Sequence, residues 1–406
     1  MINFNFGIKT QLFFGEGRTL EIAKILKEKG FKRITIVIGG GSIKTEGRLD
    51  SILKSFKEEK IEYILLEGVR PNPTKQLGDE FIKTIKEYKP ELILAIGGGS
   101  VIDTAKYMSV GYYYDGDTFD FNLGKNKPEK ALPLGVILTI SASGSEMSTS
   151  CVIQDDDLMI KKGFNSELVR PLFAIEDPNW TLFVNEYQTG CGIVDIMMHT
   201  LERYFQPSIN DYELADNLAI GLLKSVIEAG KRLILDKTDY QARATLMLAS
   251  SLSHNGLTNI GKPFFMPVHQ LEHALSGVYP QIAHGAGLSI LFPAWAEFFM
   301  DEHLDKLSRL GKELFDIAGD NQKEVCKQTI QAFRDYFVSV GMPIYLEEFN
   351  IKGFDIKKVV DVLLDNGRKV INDNTKVINY ENASIIYESC LRKIWKNKIL
   401  LESLYM

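Results

Sequence analysis

The sequence predicts an α/β N-terminal domain with a parallel sheet, followed by an all-α C-terminal domain. Three observations carry this expectation. Short apolar runs alternate with amphipathic stretches up to about residue 180, and two of those runs end in glycine triplets. Beyond that point the strand signal fades and apolar residues recur at helical spacing. A chain of 406 residues also exceeds what one ordinary hydrophobic core holds. The expected boundaries are 1–180 for the α/β domain and 181–406 for the helical one.

The strands are read from Ile34-Thr-Ile-Val-Ile38, Tyr63-Ile-Leu-Leu66, Leu92-Ile-Leu-Ala-Ile96 and Leu134-Gly-Val-Ile-Leu138. Continuous apolar runs of this length suit strands buried on both faces. Helical stretches lie between them at 19–29, 49–60, 77–88 and 101–110. Such alternation argues for a parallel sheet covered by helices on both sides. Asp177-Pro178-Asn179 reads as a hinge, because proline and asparagine favour a turn. From Glu186 onward helix follows helix, with Leu214, Leu218, Leu222 and Val226 four residues apart.

Composition narrows the function classes. The chain is 45% hydrophobic and 25% charged, which is ordinary globular usage. A net charge of −6 gives no footprint for nucleic acid or an anionic membrane. The start, Met1-Ile-Asn-Phe-Asn-Phe-Gly-Ile-Lys, lacks the pattern of a secretory signal, and no apolar run is long enough to span a bilayer. A cytoplasmic location is the expectation. Cys151, Cys191, Cys326 and Cys390 form no Cys-x-x-Cys pair and read as free thiols. The segment 4–14 is expected to form an edge strand or hairpin that pairs with a second subunit, giving a homodimer.

Two strands run into Gly39-Gly40-Gly41-Ser42 and Gly97-Gly98-Gly99-Ser100. Glycines let backbone N–H groups approach an anion, and the helix that follows points its positive end at it. The second turn, continuing Val101-Ile-Asp103-Thr-Ala-Lys106, suits a pyrophosphate. A tight strand-to-helix turn without a ligand is the competing reading, and neither turn is the Gly-x-Gly-x-x-Gly fingerprint. The first turn lies where a dinucleotide fold carries the acid that holds the adenosine ribose. Here it offers glycines, Ser42 and Lys44, with no carboxylate before Glu46. The expectation is NADP(H) in preference to NAD(H), against the alternative that Lys44 is a solvated surface residue.

Asp195 and His199 are four residues apart, as are His269 and His273, and His284 follows. That spacing puts each pair on one helix face. One carboxylate and several imidazoles without thiolates suit a divalent metal such as Fe2+ or Zn2+. The Asp195/His199 pair taken alone reads first as a surface charge pair, and His284 before a glycine reads equally as a turn residue. Both sit in apolar helical stretches, where an unpaired charge would be costly. His254 and His303 lack such company and read as structural.

With these motifs in place, the chain resembles the iron-containing (group III) alcohol dehydrogenase family, in its branch of NADPH-dependent butanol dehydrogenases and broad-range aldehyde reductases. The motifs occur in order: Pro71-Asn-Pro-Thr74, Gly97 through Lys106, Ser143-Gly-Ser-Glu146, Asp177-Pro178, Gly192-Ile-Val-Asp195 through His199, and His269 through His284. The resemblance implies a dinucleotide-binding, dehydroquinate synthase-like α/β domain and a helical domain that carries metal and substrate. It implies Asp195, His199, His269 and His284 as metal ligands. It implies cofactor contacts from Gly39, Gly40, Ser42, Asn72, Gly98, Gly99, Ser100, Asp103, Thr139, Ser143, Ser148, Lys161 and Leu182. It places His273 near the substrate. Three departures stand out: Ile140 replaces a threonine, Ala283 replaces the proline before His284, and no proline occurs at 183–185.

The expected reaction is hydride exchange between NADP(H) and a primary alcohol or aldehyde, of butanol type or another short-chain kind. The metal would polarise the carbonyl and His273 would serve proton transfer. Two other readings stay open at this point. One is a dehydroquinate synthase-like lyase on the same two-domain plan; the other is a non-catalytic dinucleotide- or metal-binding protein. Met197, Met198, Phe264, Phe265 and Met266 flank the metal-binding motifs and favour an apolar substrate.

Overall fold

The four apolar runs lie side by side at the centre of one sheet. The computed structural model describes residues 2–40, 42–207, 213–351, 353–372 and 376–391. In chain order the first elements are β1 (Gln11–Phe14), α1 (Ile22–Glu28), β2 (Arg33–Gly39), α2 (Arg48–Glu58), β3 (Glu62–Val69), α3 (Lys75–Tyr88), β4 (Leu92–Gly97) and α4 (Gly99–Gly111). Next come β5 (Leu134–Leu138), β6 (Ser150–Asp155), β7 (Ile160–Asn165) and β8 (Phe173–Glu176). The helical half holds α5 (Glu186–Tyr204), α6 (Leu214–Leu235), α7 (Tyr240–His254), α8 (Pro267–Val278), α9 (His284–Phe298), α10 (Leu304–Phe315) and α11 (Gln322–Ser339). It closes with α12 (Ile356–Leu363), β9 (Ile371–Asn372), β10 (Val377–Ile378) and α13 (Tyr380–Ser389).

The main sheet has six strands in the order β1-β8-β5-β4-β2-β3, and every pairing is parallel. Alternation along each strand feeds two cores. Val37, Ile93, Ala95 and Val136 face one side, packed with Ile102, Met108 and Phe119. Ile34, Ile36, Leu94 and Ile137 face the other, packed with Leu26, Ile52 and Phe56. Burial on both faces is why these strands read as unbroken apolar runs. The chain is thus an N-terminal α/β domain with a parallel sheet, followed by a helical domain.

The N-terminal expectation is met only in part. Residues Gln11–Phe14 form an edge strand, paired in parallel with β8, whereas residues 2–10 carry no regular element. The antiparallel hairpin of β6 and β7 was not anticipated.

The described residues pack as two compact units, one of Asn5–Asn185 with Leu235–Gly256, the other of Met1–Phe4, Glu186–Ile234 and Leu257–Met406. Helix α7 therefore belongs to the α/β unit, although it lies within the helical half of the sequence. Met247 joins the core around α4, and Arg243 Nη1 donates to Thr181 O at 2.6 Å. In the other unit α9 is the central helix: every residue from Gly285 to Ala296 is buried. A helix apolar on all sides is a core helix. Phe292 packs edge-on against Phe333 of α11, and Trp295 against Phe205 after α5. Among the described residues no helix is long and apolar enough to cross a membrane.

Candidate metal centre and glycine-rich turns

Three helices of one unit deliver the candidate ligands. Helix α5 carries Asp195 and His199, α8 carries His269 and His273, and α9 opens on His284. Asp195 Oδ1 lies 3.1 Å from His199 Nδ1, 3.6 Å from His269 Nε2 and 3.7 Å from His284 Nε2. The ring centroids of His269 are 4.4 Å from His199 and 5.2 Å from His284. The structure thus brings together the four residues that the motifs had linked. His273 sits at the border of this group, with its ring 5.6 Å from His284 and 6.3 Å from His269. His303 packs against Phe205, Trp295 and Phe299, as a core residue does.

The cluster fits a divalent ion. Asp195 Oδ1 and His269 Nε2 are buried, and neither has a hydrogen-bond partner. A buried polar atom left unmatched costs roughly 1–3 kcal/mol, so native interiors match such atoms with a partner, water or ion. Ligand atoms of Asp195, His199 and His269 lie within 4.8 Å of one another, and a second group of the same kind comprises Glu272, His273 and His284. Oxygen and imidazole donors without thiolates suit iron or zinc. Burial pulls the His199 imidazole down to about 4, which keeps it neutral. Burial would lower His269 too, but the carboxylates of Glu202 and Asp195 lift it to about 9. Burial would raise Asp195, yet the imidazoles of His199, His269 and His284 crowded around it hold it well below the carboxylate range. The pocket therefore favours positive charge.

Two residues here escaped the sequence reading. Glu202 accepts from His269 Nδ1, and Glu272 accepts from His284 Nδ1. Both follow a candidate ligand by three positions, Glu202 after His199 and Glu272 after His269. Met197 and Met198, read as neighbours of an apolar substrate, are fully buried in the core; Phe264 is half-exposed and lies under the Arg203 guanidinium.

The expected dinucleotide contacts all lie in the other unit. Gly39 ends β2 and Gly40 follows it, and Ser42 opens a 3-10 turn (Ser42–Gly47); the Ser42 side chain lies outside the described part. Gly98, Gly99 and Ser100 form the junction of β4 and α4, whose N-terminus has no side-chain cap. A Cβ on Gly98 would stand 2.3 Å from Ile140 Cγ2, so only glycine admits the loop that carries Thr139 and Ser143. Thr139 N donates to Gly97 O at 3.2 Å, and Ser143 Oγ accepts from Ser145 N at 3.3 Å. Asn72, at φ +56°, accepts from Lys161 Nζ at 3.0 Å, so β7 holds the turn after β3. Leu182 ends the 3-10 turn that follows Asp177.

Asp103 and Ser148 are engaged within the protein. Asp103 accepts from Ser145 Oγ at 2.6 Å and Val152 N at 3.0 Å. Lys106 Nζ donates to Ser145 O, Ser148 Oγ and Ser150 O at 2.8, 3.2 and 2.7 Å. These bonds make a buried fastening for the 143–150 loop. Lys44 forms an ion pair with Glu67 of β3, an acid that the reading of the first turn did not weigh.

Comparison with known proteins decides between the open readings. Residues 9–178 match the iron-containing alcohol dehydrogenase family, and residues 189–391 match the family's C-terminal region. The chain belongs to the iron-containing alcohol dehydrogenase family. It is 41% identical to NADH-dependent butanol dehydrogenase A of Clostridium acetobutylicum, over 96% of this chain and 99% of that protein. It is 29% identical to NADPH-dependent aldehyde reductase YqhD of Escherichia coli, over 96% of this chain and 100% of that one. The crystal structure of NADH-dependent butanol dehydrogenase A from Thermotoga maritima superposes with a TM-score of 0.92 at 34% identity, covering 97% of this chain and 99% of that chain. Family membership makes the chain an NAD(P)-dependent alcohol dehydrogenase or aldehyde reductase and removes the lyase and non-catalytic readings.

Proposed function

We propose that the chain interconverts short-chain aldehydes and primary alcohols, butanal and butanol among them, at a divalent ion bound by Asp195, His199, His269 and His284. The observation that carries this is the convergence of three imidazoles on one buried carboxylate oxygen. When bound, the ion supplies Lewis-acid chemistry and the nicotinamide supplies or takes the hydride. The chain's own residues do the rest. Asp195 and the three histidines bind and orient. Gly98, Gly99 and Ser100 offer backbone N–H groups to the pyrophosphate at an uncapped helix end. Asn72, Thr139, Ser143, Lys161 and Leu182 line the remainder of the dinucleotide site, while Asp103 and Ser148 hold its loop in place. His273, half-exposed beside His284, gives the alcohol oxygen its proton during reduction and takes it during oxidation.

The preference for NADP(H) is supported by the room at Gly39 and Gly40 and by Lys44, and it is opposed by Glu67, which offsets that charge. The relatives' names include both dinucleotides. We therefore assign use of both dinucleotides. Four free cysteines agree with a reducing cytoplasm. A homodimer is supported by alternating apolar residues left exposed near the N-terminus: Phe4, Phe6 and Ile8.

The test pairs elemental analysis with butanal reduction by NADPH and NADH. His269→Ala should lose the ion and activity together. His273→Ala should keep the ion and lose most turnover. A protein purified without oxygen that holds no divalent ion, or that oxidises neither dinucleotide with any aldehyde, would sink the proposal.

A further inference from the structure

The metal-binding motifs contain a repeat that the four ligands leave unexplained. His199 is followed three residues on by Glu202, and His269 three residues on by Glu272. The contacts run onward from each pair to the next histidine. Glu202 of α5 receives the Nδ1 hydrogen of His269 on α8, and Glu272 of α8 receives that of His284 on α9. Each His-x-x-Glu unit thus gives one imidazole to the centre and one carboxylate to the neighbouring imidazole. His199 opens the series and needs no such partner, because its Nδ1 lies 3.0 Å from Asp195 O one turn back. The series ends at His284, where the third position along is Gly287. A Cβ there would stand 2.9 Å from Glu272 Cγ and 3.2 Å from Glu272 Oε1, so this glycine makes the seat for the last carboxylate.

We propose that Glu202 and Glu272 are positioning residues of the metal centre that fix the tautomer and aim of His269 and His284; this rests on the metal-centre reading above. A carboxylate on Nδ1 keeps that nitrogen protonated, leaves Nε2 as a lone pair, and locks the ring's direction. In both rings Nε2 is the atom turned toward Asp195 Oδ1. Glu202 does this from a fixed seat, because its Oε1 accepts from Val268 N at 2.6 Å and His269 N at 3.4 Å at the start of α8. That helix start has no side-chain cap of its own. One carboxylate therefore sets both the helix entry and the ring it carries. Asp195, Glu202 and Glu272 are all buried, and the buried guanidinium of Arg203 donates to His199 O and Asn259 Oδ1.

The full chain, stripped with a chelator and titrated with Co2+, provides the test. Affinity is read by competition with a chromophoric chelator, and ligand geometry by the visible Co2+ absorption. Loss of such a partner weakens binding about 10- to 100-fold. Glu272→Gln should fall at the low end, keeping an acceptor without its charge, and Glu272→Ala at the high end with an altered spectrum. Gly287→Ala leaves both carboxylates in the sequence and should still shift the spectrum by crowding Glu272. Glu202→Gln should weaken binding while far-ultraviolet circular dichroism shows an intact fold. Wild-type affinity and spectrum in all four variants would overturn the positioning role. So would two Co2+ ions per wild-type chain with one lost in Glu272→Ala, because Glu272 would then be a ligand. A wild-type chain that binds no Co2+ at all would instead overturn the metal-centre reading beneath.

Discussion

Ser251 of α7 illustrates how a single hydroxyl constrains two acids. Its Oγ lies 2.7 Å from Glu146 Oε1 and also contacts Glu176 Oε1. A hydroxyl has one hydrogen, so the second contact needs a protonated carboxyl as donor. Burial, reinforced by the Glu146 charge, raises Glu176 well above the usual 4.5. The native chain then holds a proton that the unfolded chain has released above about pH 4.5. Stability contributed by this site is full below that pH and declines as pH rises toward the native value. Glu176→Gln mimics the protonated acid and should flatten that decline. Unfolding midpoints measured from pH 5 to 9 should converge for variant and wild type at the acid end and separate at the alkaline end, with the variant higher. Glu67 acts at the same scale: Glu67→Gln releases Lys44 and should raise the kcat/KM ratio of NADPH to NADH several-fold, an exposed pair being worth about 0.2–1 kcal/mol.

Between helices the decisive quantity is backbone separation. A Cβ on Gly285 would stand 2.2 Å from Cys191 O and 2.6 Å from Cys191 Cα, so α9 and α5 meet backbone to backbone beside His284. Gly285→Ala should cost about 1–3 kcal/mol by overpacking. It should also displace His284 from Asp195, lowering both the unfolding midpoint and bound metal per chain. What was legible in the sequence follows from how each element earns its pattern. Strands β2 to β5 are buried on both faces and show as apolar runs. Strands β6 and β7 form a two-stranded sheet of their own, and Lys161-Lys162 breaks the run, so the hairpin was missed. The ligands showed through i,i+4 spacing in apolar helices. Glu202 and Glu272 did not, because an acid at i+3 looks the same on a solvated face; the doubled His-x-x-Glu was the available signal.

For the molecule as a whole, all four candidate ligands sit in one unit and the glycine turns in the other. An ion that binds only the folded helical unit stabilises that unit by mass action, by about 2.7 kcal/mol at a free concentration 100 times Kd. Calorimetry with and without a chelator should show the helical transition moving down while the α/β transition stays in place. A common shift of both would mean that the units melt together. The family resemblance foresaw the two-part plan, but helical periodicity has no way of telling which core a helix serves. That is why α7 was read with its sequence neighbours rather than with β4 and α4.

The placement of α7 has a consequence for biosynthesis. A ribosome that has released residue 185 has emitted every strand of the six-stranded sheet, yet Met247 and Ser251, which fill its core and bridge its buried acids, are still to come. The nascent α/β half must wait, incompletely sealed, until about residue 256 emerges, by which time α5 and α6 are already outside. Neither half can be cut out as one uninterrupted stretch without leaving an apolar face bare, so gene fragments ending near 185 should be recovered mainly as insoluble protein.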